Sequence, residues 1–182
     1  MELFPNKVKL SRAKPLYKNG YASLMSNYRP ISLLPSISKI FEKVIFQQLL
    51  SYMNQYSLLS MEQFGFRPGH STELAALRLV DNLVKEMDEN RVPLSIFIDL
   101  SKAFDTLDHE ILLSKLSYYG VSSNVKDLFR SYLSNRHQYV EFNNSESDTK
   151  VITTGVPQGS ILGPLLFLIY INDSNLAIYS AC

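Results

Sequence analysis

Cysteine is almost missing from this sequence: its 182 residues hold one, Cys182. A lone thiol excludes an intramolecular disulfide and any cysteine-built metal site. It suits a reducing intracellular compartment, cytoplasm or nucleus, and not a secreted protein. Long apolar runs are missing too. The longest, ILGPLLFLIYI at 161–171, falls well short of the ~20 residues a membrane helix needs. The opening MELFPNKVKLSRAKPLYKNG lacks the continuous apolar segment of a secretory signal, so no membrane partner is expected. The three histidines are scattered, which argues against a zinc hydrolase. The pattern G-x-x-x-x-G-K-[ST] is absent, which removes a P-loop kinase.

What is present suffices for a packed core. Hydrophobic residues make up 46% of the chain and charged ones 19%, the balance of a folded domain and not of a disordered tail. This length fits one sizeable domain or two small lobes. Net charge is only +1, yet residues 1–43 carry eight Lys/Arg against two acids, and the remainder carries ten against fifteen. A basic leading third suits phosphate backbones. A solvated basic face has the same composition.

Periodicity supplies the elements. From Ser36, Ile37, Ile40, Phe41, Val44, Ile45 and Leu49 recur at helical spacing. STELAALRLVDNLVKEMDEN predicts a second helix, capped by Ser71 or Thr72, with Leu74, Leu77, Leu83, Val84 and Met87 inward. Between them QFGFRPGHS reads as a shaped loop. PLSIFIDL, bounded by Pro93, reads as a buried strand. DHEILLSKLSYYG predicts a helix from an Asp108 N-cap to Gly120. VSSNVKDLFRSYLSNR predicts another, with Val125, Leu128, Phe129, Tyr132 and Leu133 inward. HQYVEF and DTKVITT flank NNSES as a hairpin. After GVPQGS the chain predicts a helix through Tyr170. Helices outnumber strands, which points to the α+β class with a short antiparallel sheet.

The stretch FIDLSKAFDTLDHEIL raises a chemical question. It ends an apolar run in Asp99 and places Asp105 and Asp108 soon after. A carboxylate there needs a partner. A cation such as Lys102 or Arg67 would serve, and so would a hard metal ion. Asp108 is accounted for as a cap, and Asp105 fits either role. A phosphatase of the haloacid dehalogenase kind would want an acid two residues after Asp99, where Ser101 stands.

Five segments carry a resemblance: NYRPISLLPSISKIFEKVI, QFGFRPGHST, FIDLSKAFDTLDHEILLSKL, SYLSNRHQYV and GVPQGSILGPLLFLIYIND. In this order and spacing, from about Lys7 to Asp173, they resemble the reverse transcriptase of non-LTR (LINE-type) retrotransposons. The resemblance implies a right-hand polymerase, with fingers at about 1–92 and 119–154 and a partial palm at 93–118 and 155–182. Its substrates would be an RNA template, a DNA primer and deoxynucleoside triphosphates. Asp99 matches the first metal-binding aspartate, with the carbonyl of Leu100 as a further ligand. The cofactor would be a pair of Mg²⁺ ions, or Mn²⁺, one activating the primer hydroxyl and one holding the triphosphate. Lys102 and Ala103 lead to Phe104, which matches the aromatic gate beneath the incoming sugar; its plain alternative is a core aromatic. Gln158 and Gly159 match the residues approaching base and sugar, where glycine permits close backbone approach. Tight packing along the glycines at 155, 159 and 163 is the alternative there. Arg67 matches a triphosphate-contacting arginine, since the guanidinium fork pairs with phosphate oxygens. Arg29 is a second candidate for that duty or for an ion pair with an acid of the chain.

The chain also departs from the family. The aromatic-Ala-Asp-Asp box expected after YIND has no counterpart: no two aspartates are adjacent, and SNLAIYSAC follows Asp173. The thumb and endonuclease have none either. The expectation is a truncated polymerase, inactive as an isolated chain, because one aspartate cannot hold two divalent ions about 3.5–4 Å apart. A catalytically dead nucleic-acid-binding remnant is the alternative, and a product with no maintained role is a third. Without its partner hairpin, the Asp99 strand would be an unpaired palm edge prone to self-association. On the same ground 161–171 is expected to be underburied, the fold marginally stable, and the fingers better ordered than the palm.

Overall fold

The computed structural model of the chain describes residues 3–173. Residues 1–2 of the expected fingers and 174–182 of the expected palm lie outside the described residues. The strands are β1 (Leu10–Tyr17), β2 (Tyr28–Leu33), β3 (Arg136–Phe142), β4 (Ser145–Glu146) and β5 (Lys150–Ile152). The helices are α1 (Ser36–Gln55), α2 (Thr72–Asp88), α3 (His109–Tyr118), α4 (Ser123–Leu133) and α5 (Leu162–Ile171).

The sheet runs β2-β1-β3-β4, with β5 also on β3. It is mixed and not purely antiparallel: β1 pairs β2 antiparallel but β3 parallel, Leu10 opposite His137. The hairpin is as the turn residues predict, with β5 antiparallel to β3. Strands β1 and β2 have no counterpart among the periodicity-based expectations. Strand β1 buries Ser11 and Ala13 while Leu10 and Leu16 are exposed, so its inward face carries no apolar signal.

The core forms where α1, α3, α4 and α5 meet. Helix α5 is its centre: Leu162, Leu165, Leu166, Leu168 and Ile169 are all 2% exposed or less. The expectation that 161–171 is underburied is therefore wrong. The helix is apolar on every side and has neighbours on every side, the signature of a fully enclosed helix. Caps follow the sequence. The Ser71 hydroxyl accepts from Leu74 N at α2, and the Asp108 carboxylate accepts from Ile111 N (2.9 Å) at α3.

Burial departs from the apolar pattern in three places. In α1, Ile37, Ile40, Phe41 and Val44 face solvent while Ser38 and Glu42 are fully buried. In α2 no residue is buried, and Leu74, Leu77, Val84 and Met87 are exposed. The third is the strand at PLSIFIDL: residues 91–100 make no ladder, and Ile96, Phe97 and Ile98 are 78%, 81% and 69% exposed. In α4, Val125 also faces outward, whereas Phe129, Tyr132 and Leu133 are inward as expected. A strand needs a neighbour for its N–H and C=O groups, and a stripe needs a surface to lie on. Among the described residues these elements have neither.

The misplaced face of α1 has a specific cause. The Glu42 carboxylate accepts from Ser38 Oγ (3.3 Å), Tyr132 OH (3.2 Å) and the backbone N–H of Ile161 (2.7 Å). It thus joins α1 and α4 to the start of α5, where the helix dipole favours an anion. Burial pushes the Tyr132 phenol well above its ordinary value; the neighbouring Arg136 opposes this and Glu42 adds to it.

Candidate functional site

Three distant segments converge on Phe104. Its ring lies 5.0 Å from Phe167 of α5 and 5.9 Å, edge on, from Phe66 of the QFGFRPG loop. Its carbonyl accepts from Val156 N (2.8 Å), and the carbonyl of Leu107 accepts from Gly155 N (2.7 Å). His109 Nε2 lies 2.8 Å from the Gly155 carbonyl. The GVPQGS loop is thereby laced to the 104–109 segment. Phe104 is half-buried against the core and keeps a partly open face.

The glycines explain the close fit. At Gly159 (φ +119) a Cβ would stand 2.7 Å from the carbonyl of Ser32, and at Gly155 (φ +78) one would stand 2.7 Å from the carbonyls of Phe104 and Asp105. No side chain fits either place. The carbonyl of Gln158 accepts from Ser32 N (2.7 Å), bringing in β2. The Gln158 amide donates to Asp105 Oδ1 (2.9 Å), so the Asp105 carboxylate orients this amide.

Arg67 donates through Nη1 to the carbonyl of Ser60 (2.6 Å) and remains half-buried. The loop that offers this carbonyl is held by Asn172. Its Oδ1 accepts from Ser60 N (2.8 Å), and its Nδ2 donates to the Leu58 carbonyl (2.7 Å) and the Tyr119 hydroxyl (2.9 Å). Sequence reasoning passed over Asn172, although its place in YIND marked it. Next to it, the Lys115 ammonium donates to Asp173 and holds that carboxyl below its usual range. Arg29 is exposed on β2, three residues before Ser32.

Two non-glycine residues of these segments sit in the left-handed region, Phe66 (φ 56) and Lys102 (φ 55). Such backbone costs on the order of 1–3 kcal/mol per residue and clusters at functional sites. The Lys102 carbonyl accepts from the N–H groups of Asp105 and Thr106 (2.8 and 3.2 Å), forming a tight turn that leads Ala103 and Phe104 inward.

Asp99 and Leu100 stand apart from this lattice, exposed in the 91–100 stretch, which forms no strand. Among the described residues no three His, Cys, Asp or Glu side chains gather where a metal ion could bind. The described residues therefore show no carboxylate cluster that fits a two-ion centre, and Asp105 Oδ1 accepts from Gln158. Among the described residues, no helix is long and apolar enough to cross a membrane.

Residues 16–181 match the family profile described as reverse transcriptase (RNA-dependent DNA polymerase). The chain is 37% identical over 180 residues to the "Probable RNA-directed DNA polymerase from transposon BS" of Drosophila melanogaster, covering 95% of this chain. Identity is also 37% over 180 residues with the corresponding protein of transposon X-element from the same organism. The RNA-directed DNA polymerase from mobile element jockey is 33% identical over 171 residues, 93% of this chain. The chain spans 19% of the length of each of these relatives.

Proposed function

Since the chain belongs to the reverse transcriptase family of non-LTR retroelements, we propose that its convergent loops form the nucleotide-binding part of an RNA-directed DNA polymerase. One observation carries this reading. Phe104, Phe66 and Gln158, from segments far apart in sequence, are drawn together by ring contacts and the bond to Asp105. In this reading Phe104 lies under the sugar and excludes a 2′-hydroxyl. Gln158 and Gly159 approach base and sugar, while Lys102 and Ala103 shape the turn beneath them. Arg67 holds the triphosphate, its remaining donors forming a fork for phosphate oxygens, and Arg29 assists from β2. Template RNA and primer DNA would lie across fingers at about 1–92 and 119–154 and a palm at 93–118 and 155–182. The compartment is the cytoplasm or the nucleus.

The family generally uses divalent metal ions. Asp99 and the Leu100 carbonyl would contribute two oxygen ligands to Mg²⁺, and the remaining carboxylates must come from outside the described residues. Taken alone, the 182-residue segment binds nucleotide without joining it to a primer. Binding without chemistry is also the second reading, favoured by the single carboxylate. The test is a pair of measurements on the 182-residue chain. Arg67→Ala weakens binding of a fluorescent deoxynucleoside triphosphate about tenfold, in line with a lost charge-assisted contact; unchanged affinity removes Arg67 from the site. Primer extension with Mg²⁺ or Mn²⁺ gives no product; clear incorporation refutes the ligand-count argument.

A further inference from the structure

Between the β-sheet and the GVPQGS loop lies a cleft of about 340 Å³, lined among others by Ser32, Asp105, Arg136, Gln138 and Gln158. Arg136 is 2% exposed. Its Nη1 donates to the Tyr132 carbonyl (3.0 Å), and its Cζ sits 4.7 Å from the centre of the Tyr132 ring. Its Nε and Nη2 are buried and have no partner. These two nitrogens form one edge of the guanidinium, the edge that grips two oxygens of one acceptor side by side. A buried charge with that edge unmet is costly, and the cleft beside it has the volume of a small ligand pocket.

We propose that this cleft binds one phosphodiester group of a nucleic-acid strand, its two non-bridging oxygens meeting the Nε–Nη2 edge of Arg136. The Asp105 carboxylate lines the same cleft, which disfavours a dianion and selects the singly charged diester over free phosphate. Strands β1 and β2 wall the cleft through Ser11, Pro30 and Ser32, and both belong to the basic leading third, where eight Lys/Arg face two acids. The inference rests on the nucleic-acid-binding half of the reading above and adds a backbone contact on β3.

The experiment observes the Arg136 side chain directly. In the 182-residue chain labelled with ¹⁵N-arginine, the Nε–H resonance of Arg136 is assigned through its own backbone and followed during titration. The added ligands are a short single-stranded RNA, the same RNA with uncharged methylphosphonate linkages, and a polyglutamate peptide. The resonance moves with the phosphodiester RNA and stays fixed with the other two. Arg136→Lys keeps the charge and loses the fork, so RNA binding weakens about tenfold with the salt slope nearly unchanged, whereas Arg136→Gln lowers that slope by about one. A resonance unmoved by RNA that saturates the chain overturns the proposal, as does an equal response to polyglutamate. Because the wild-type resonance decides, a variant that fails to fold leaves the test intact. Arg67→Ala leaves the Arg136 response in place, so failure at the nucleotide site and failure at this cleft are read separately.

Discussion

Helix α5 and the stretch 91–100 are both short apolar runs, and the fold treats them in opposite ways. In α5 the leucines and Ile169 are 2% exposed or less, whereas Leu94, Ile96 and Phe97 are 87%, 78% and 81% exposed. Hydrophobicity does not separate them. Helix α5 meets α1 and α3 and receives Glu42 at the N–H of its N-cap, Ile161, while 91–100 finds no strand among the described residues. Burial is decided by what lies opposite, and side-chain chemistry only makes it worthwhile. Helix α2 belongs with the second group: it is well capped, amphipathic and uncovered.

The sharpest way to break this comparison is to truncate one leucine in each region. Leu166→Ala should lower stability by about 3 kcal/mol, the loss for a buried leucine plus its cavity. Leu94→Ser should change it by less than about 0.5 kcal/mol. Urea melts of the two variants decide, and similar losses would mean that 91–100 is packed in solution.

A second pair separates the two faces of α1. Glu42→Ala leaves Ser38, Tyr132 and the Ile161 N–H without their acceptor and should cost on the order of 3 kcal/mol. Ile40→Ser, on a side chain 64% exposed, should cost little. If the isoleucine proves the more costly of the two, α1 turns its other face inward.

The smallest effect is in pH. Tyr132 keeps its proton in the fold above its ordinary value of 10.0, while the unfolded chain releases that proton near the ordinary value. A raised folded value gives stability that is complete below the unfolded value and is lost as pH climbs from there toward the folded one. The contribution of Tyr132 should fall by about 1 kcal/mol toward pH 11. Tyr132→Phe should show a shallower alkaline decline in thermal melts; identical slopes would place the phenol in solvent.

Much of this was legible in the chain. Ser71 and Asp108 cap where they stand because a hydroxyl or carboxylate there meets free N–H groups locally. The motif strings also found one another, since the contacts of Phe104 and Gln158 join QFGFRPG, SKAFD and GVPQGS. Glu42 was not legible, because a lone glutamate between apolar neighbours reads as surface until Tyr132 and Ile161 are brought to it. Arg136 was hidden within SNRHQYV for the same reason.

By itself the sequence determined the helices, their caps, the hairpin and the family, because each rests on spacing along the chain or on local hydrogen bonds. Only the tertiary structure decided which apolar faces are covered, the parallel pairing of β1 with β3, and the burial of Glu42 and Arg136. Those depend on residues distant in the chain meeting in space, Glu42 with Tyr132 and Ile161 and β1 with β3, and no local pattern records such a meeting.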